Sequence, residues 1–251
     1  MTPGEPVYRL RGVTRRYGST VALRDVDLEV SRGERVALAG PSGAGKSTLV
    51  ALLNGTLVPD EGEVRIRGRP VSDLSRSKLR RVQRRIGTVH QQFHLVDNIR
   101  VIHNVNAGRL GEWSLPRAAW SLLRPQGVEE AREILARVGI PEKVFQRTDA
   151  LSGGEQQRVA LSRVLAQDPD VILADEPIAS LDREHSREVM DLLRALSEEE
   201  GKTVVVSLHE WRYALSHCER VVGLRRGRVA FDRPAGEVDE ATVEELYRLE
   251  R

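Results

Sequence analysis

Val36-Ala37-Leu38-Ala39 runs directly into Gly40-Pro41-Ser42-Gly43-Ala44-Gly45-Lys46-Ser47-Thr48, and the apolar stretch Leu49 to Leu53 follows before Asn54-Gly55. The middle segment fits G-x-x-x-x-G-K-[ST], a pattern that carries weight when a buried strand precedes it and a helix follows. Both flanks are present. Glycines let successive backbone N–H groups turn toward one anion without a Cβ in the way. Lys46 adds a mobile positive charge for terminal phosphates, the Ser47 hydroxyl suits Mg²⁺, and the helix start presents its dipole to the same anion. The segment from Gly40 to Thr48 therefore reads as a phosphate-binding loop for a nucleotide.

A second buried strand, Val171-Ile172-Leu173-Ala174, ends in Asp175-Glu176 before Pro177. Carboxylates at the C-terminal end of such a strand lie where open α/β sheets bind ligands. Beside a phosphate loop, Asp175 is expected at the metal and Glu176 as the group that orients or deprotonates the attacking water. Elsewhere, Val26 to Val30, Val64 to Ile66, Ile86 to Val89 and Thr203 to Ser207 read as strands. Ser72 to Arg85, Arg183 to Ser197 and Trp211 to Ser216 read as helices, and Val221 to Leu224 with Arg228 to Phe231 as a hairpin. From Phe93 to Ala150 the rhythm is helical, with Val128 to Val138 stopped by Gly139. Strands alternating with helices predict an α/β fold: a mostly parallel sheet with an antiparallel part and a helical insert. Fraying is expected at Met1–Pro6 and after Pro234.

Leu151-Ser152-Gly153-Gly154-Glu155-Gln156-Gln157-Arg158 supports two compatible readings. Ser152 and Glu155 have the spacing of a capping box. Gly153 and Gly154, however, fall in the first helical turn, where each costs up to about 1 kcal/mol relative to Ala in a helix interior. Two glycines there let backbone amides approach an anion closely, with Ser152 as a further donor.

Phosphate loop, Leu-Ser-Gly-Gly segment, Val171 to Pro177 and a His after an apolar strand together resemble the ATP-binding cassette (ABC) family, from about Tyr8 to Phe231. The resemblance implies a P-loop NTPase core with a helical subdomain. One ABC ATPase domain would span 7–233, with a RecA-like core at about 7–90 and 153–233, a helical subdomain at about 91–152, and a short tail at 234–251. It implies ATP and Mg²⁺ as ligands, Tyr17 as an adenine platform, and Gln91 as the residue that senses Mg²⁺ and water, with Gln92 the alternative. Ala179-Ser180-Leu181-Asp182 resembles the loop that crosses to a partner subunit, and His209 the histidine contacting the γ-phosphate. Ser152, Gly153 and Gly154 would meet ATP held by a second copy in a head-to-tail homodimer. Integral-membrane permease subunits would dock on the helical subdomain, with a solute-binding protein acting indirectly, placing the chain peripherally on the cytoplasmic face of the cell membrane. The run QQFHLVDNIRVIHNVNAGRLG (91–111) and DEPIASLD (175–182) look most like phosphonate importers, for phosphonate or a related oxyanion. His90 and Arg183 depart from that family's common residues. Other transporter classes and a soluble, non-transport ABC ATPase remain the alternatives.

Composition narrows the field further. Across 251 residues, 39 basic against 37 acidic side chains leave a net charge of +2, and aromatics make up 4%. So balanced a charge and so few stacking platforms argue against nucleic acid as a partner. Cys218 is the sole cysteine, which excludes an internal disulfide. No run approaches the ~18 unbroken apolar residues of a membrane span, and the first residues lack a secretory apolar core. The short stretch after Phe231 leads to the expectation that no regulatory domain follows.

Overall fold

The computed structural model describes residues 6–90, 92–179 and 181–248. Its centre is β3 (Arg35–Ala39), from Val36 onward a run of buried apolar residues. Such a run belongs in the middle of a parallel sheet covered on both faces. β3 is flanked in parallel by β8 (Thr203–Leu208) and β9 (Arg220–Arg225). β7 (Val171–Asp175) follows β8, and β6 (Ile86–Val89) follows β7; β10 (Arg228–Pro234) pairs antiparallel with β9, giving the order β10-β9-β3-β8-β7-β6. A second sheet is antiparallel, ordered β2-β1-β4-β5, from β1 (Pro6–Tyr17), β2 (Thr20–Ser31), β4 (Glu61–Ile66) and β5 (Arg69–Pro70). The mixed α/β architecture expected from the strand–helix rhythm is the one observed.

The two-residue period of a strand divides the central sheet between two cores. Val36 and Leu38 join Leu173, Val205, the antiparallel sheet and Leu49, Leu52 and Leu53 of α1 (Lys46–Leu53). Ala37, Ala39, Ile172, Ala174, Val204 and Val206 face the other core. That core holds α6 (Gly153–Gln167), α7 (Arg183–Glu200) and α8 (Trp211–His217). It continues into the helical segment through α3 (Val101–Ala107) and α5 (Val128–Arg137), between which α4 (Leu115–Leu123) lies in sequence. In that segment Asn104 bonds both polar backbone atoms of Val96, and its amide donates to buried Thr148, whose hydroxyl donates to the Ile99 carbonyl. Its one β pairing outside the named strands, among the described residues, is the isolated bridge Arg100–Arg147.

Two expectations are corrected. Ser72 to Arg85 is not one helix: a 3-10 turn at Val71–Asp73 is followed by extended residues at Leu74 and Ser75, and α2 (Arg76–Gln83) begins only then. Residues 235–248 do not fray. A 3-10 turn at Ala235–Glu237 leads into α9 (Glu240–Tyr247), whose Val243 and Leu246, with Val238 before it, are buried. Three apolar anchors outweigh the acidic surface of that segment, and Asp239 caps it by accepting from the Thr242 N–H at 2.8 Å.

Candidate active site

β3 delivers the chain into the phosphate loop with backbone geometry that fixes residue type. Gly40 has φ 150°, and a Cβ there would stand 2.2 Å from the Leu224 carbonyl oxygen. Gly45 has φ 105°, and its Cβ would meet the Ala22 carbonyl at 2.6 Å. Between them Gly43, at φ 77°, has open space where a side chain would be, which leaves the concave side free. Lys46 is 4% exposed, and its ammonium donates to the carbonyls of Gly40 at 2.7 Å and Pro41 at 3.2 Å. Burial holds this amine below the usual lysine range, with Glu176 and then Asp175 pulling it back up. Ser42 and Ser47 are exposed beside it.

Asp175 ends β7 as expected, and Glu176 turns away from it in the left-handed region at φ 52°. That conformation costs a non-glycine residue roughly 1–2 kcal/mol and persists where surrounding contacts over-determine it. One contact is Ser207, fully buried at the end of β8, which donates to Asp175 Oδ1 at 2.6 Å and accepts from the Glu176 N–H at 2.9 Å. Another is His209, whose Nε2 lies 2.5 Å from Glu176 Oε1. The structure thus brings Lys46, Asp175, Glu176 and His209 into one neighbourhood. Ser207 was not singled out from sequence, although a hydroxyl after Val204-Val205-Val206 was a usable signal. Ser207→Ala should leave the Glu176 amide without its partner and free Asp175 to swing. A lower melting temperature and a higher Mg²⁺ requirement for nucleotide turnover are expected; unchanged values in both titrations would contradict this role.

The capping box at Ser152 forms. Its hydroxyl accepts from the Glu155 N–H, and the Glu155 carboxylate accepts from the Ser152 N–H at 2.8 Å. Lys143 first, then the Ser152 amide, hold the Glu155 carboxyl below its usual range. Gly153 has nothing within 4 Å of an added Cβ, and Gly154 meets only the tip of Leu181 at 3.3 Å. The glycines face open space rather than packed side chains of their own chain, so packing alone does not explain them.

The remaining candidates are placed as follows. Tyr17 is 47% exposed, with the Arg15 guanidinium 5.1 Å from its ring centre. Asp182 caps α7 by accepting from the His185 N–H at 3.0 Å, and that bond leads the causes lowering its carboxyl. Gln91 and Ser180 lie outside the described residues. On either side of Gln91, His90 is pushed down chiefly by burial and then by His94, against the pull of Asp175, and Gln92 is exposed. Phe93 and His94, both at positive φ, are held by Arg163 of α6, which donates to both carbonyls at 2.7 Å. The chain following Gln91 is therefore tied to the helix that starts with Ser-Gly-Gly.

The donor set suits Mg²⁺ carried by a nucleotide. Among the described residues no three His, Cys, Asp or Glu side chains gather as a protein cage for a metal. Mg²⁺ is instead usually held by one or two carboxylates with substrate phosphates. Ser47, the Asp175 carboxylate and a loop open at Gly43 match that mode.

The sequence pattern of the ABC transporter family matches residues 23–179. The chain is 50% identical over 250 residues to the Phosphonates import ATP-binding protein PhnC of Anaeromyxobacter dehalogenans (strain 2CP-C), covering 99% of this chain and 49% of that protein. It thus spans about half the length of that relative. The protein of the same name from Frankia casuarinae is 46% identical, with 96% of this chain and 95% of the relative covered. Among solved structures, the dimeric structure of MJ0796, a bacterial ABC transporter cassette, superposes with a TM-score of 0.79 at 34% identity, over 91% of this chain and 98% of that one. CbiO1 from Clostridium perfringens, part of the ABC transporter complex cbiONQ, gives 0.80 at 29% identity, over 96% and 94%.

Proposed function

The chain belongs to the ABC transporter family, and on that premise we propose that it hydrolyses ATP to power import of phosphonates or a related phosphorus oxyanion. The observation that carries the ATPase reading is the convergence of Lys46, Asp175, Glu176 and His209 at the C-terminal ends of β3, β7 and β8. The cargo rests on the relatives' shared name across 95% or more of this chain in three of them.

In this reading the amides from Ser42 to Thr48, with Gly40 and Pro41 setting the turn, cradle the phosphates, and Lys46 exchanges its loop carbonyls for β- and γ-oxygens. Ser47 and Asp175 would hold Mg²⁺, with Gln91, or Gln92 as the alternative, as the residue that senses it. The ion, when bound, neutralises charge developing on the phosphates. Glu176 takes the proton of the attacking water at a carboxylate oxygen. Its contact with His209 fixes the orientation of both side chains, and His209 then reaches the γ-phosphate. Tyr17 offers its exposed face to adenine. Ser152, Gly153 and Gly154 of a second copy close over the same ATP, with Asp182 near the crossing. ATP can favour the closed pair only through contacts that the open pair lacks, and these residues supply them.

We assign the domain limits given above to a RecA-like core and a helical subdomain that receives membrane-embedded permease subunits. No helix among the described residues is long and apolar enough to cross a membrane. The solute-binding protein acts through the permease. Reconstituting the chain with its cognate permease in proteoliposomes tests the reading. Uptake of a phosphonate that needs ATP, Mg²⁺ and the solute-binding protein is expected; ATP-driven uptake of an amino acid or sugar in its place would overturn the cargo assignment.

A further inference from the structure

Tyr247 makes a bridge that no motif announces. Its hydroxyl accepts from the Gly40 N–H at 3.2 Å and donates to the His209 carbonyl at 3.1 Å. Gly40 is the first residue of the phosphate loop, pressed against the Leu224 carbonyl so closely that no Cβ fits. His209 is the residue whose imidazole touches Glu176. One phenol thus ties the rigid start of the loop to the backbone of the histidine.

The helix that carries this phenol is anchored at both ends. Asp239 caps its start, Val243 and Leu246 are buried, and Arg225 donates to the carbonyls of Glu245 at 3.1 Å and Arg248 at 2.8 Å near its end. Carbonyls in the last turn of a helix run short of intrahelical donors, and Arg225 supplies donors there. Burial raises the Tyr247 phenol, the Gly40 amide opposing it, and the ring therefore stays neutral and able to donate near neutral pH. Beside it, a pocket of about 260 Å³ between His209, Trp211 and α9 leaves the histidine segment room to move if the tether is cut.

We infer that Tyr247 is a positioning residue for ATP hydrolysis: its hydroxyl holds the His209 backbone in register with the phosphate loop, so that the imidazole meets Glu176 and the γ-phosphate together. This rests on the ATPase reading above. Tyr247→Phe in the full chain keeps the ring and its packing and removes only the oxygen. With saturating Mg-ATP, kcat is expected to fall about tenfold, equal to about 1.4 kcal/mol of transition-state stabilisation. KM, the affinity for a fluorescent ATP analogue and the melting temperature should stay close to those of the unmodified chain. Exchange of the Gly40 amide proton should quicken about tenfold in the variant. Unchanged kcat would overturn the inference, and so would kcat, affinity and melting temperature falling together, because that pattern belongs to a purely structural contact. If the unmodified chain splits no ATP, the ATPase reading fails and takes the positioning role with it, whereas the Gly40 exchange rate still reports whether the bridge exists.

Discussion

Glu176→Gln should lower ATP turnover by roughly 10²–10⁴, the range lost when a positioned general base is removed. Gln keeps the length and shape of the side chain, and it can still hydrogen-bond His209 across the 2.5 Å gap now occupied by Glu176 Oε1. The Ser207 hydroxyl accepts from the backbone N–H of residue 176, not from its side chain, so that bond survives the change. Little about the site's shape should therefore alter; what is lost is an oxygen able to accept the proton of water. Phosphate release at saturating Mg-ATP, read beside binding of a fluorescent ATP analogue, separates these terms. Binding retained with hydrolysis nearly abolished is the expected result. Turnover within a few-fold of the unmodified chain would mean that Glu176 is not the base.

Lys46→Ala should weaken ATP binding about 10–100-fold, since hydrogen bonds to charged groups contribute about 1.5–3 kcal/mol each in net terms. The amine is already buried and already bonded to the Gly40 and Pro41 carbonyls, so it is placed before any nucleotide arrives. Burial works against its charge, and Glu176 and Asp175, consecutive at the end of β7, support it. Lys46→Arg should restore little, because a planar guanidinium cannot occupy a cavity shaped for a point charge on a flexible stem. Titration with a fluorescent ATP analogue checks both variants, and affinity equal to that of the unmodified chain would contradict the placement of phosphates at Lys46.

The motifs were legible because their chemistry is local in sequence: Gly40 to Thr48, Asp175-Glu176 and Ser152 to Glu155 each act through neighbours within a few positions. The parallel core was legible for a similar reason, with Val36 to Ala39, Val171 to Ala174 and Thr203 to Val206 forming unbroken buried runs. Long β1 was not picked out, because Arg9, Arg11, Arg15 and Arg16 interrupt its apolar positions and the pairing with β2 supplies what local pattern lacks. Ser207 and Tyr247 escaped because their roles exist only in three dimensions: one bonds across from β8 to β7, the other across 207 positions to Gly40. α9 was hidden by its acidic surface, although Val243 and Leu246 already had helical spacing. At Ser72 to Arg85 the basic run suggested one helix, yet the extended backbone at Leu74 and Ser75 divides it.

The central claim is that one chain holds half of each hydrolytic site and that a second copy's Ser152 to Gly154 supplies the rest. Sedimentation of Glu176→Gln with Mg-ATP measures this most directly. The account predicts a dimer with Mg-ATP, monomer with Mg-ADP, and monomer again with Mg-ATP once Gly154→Asp is added. Monomer under every condition, or a dimer indifferent to nucleotide and to Gly154, would contradict it.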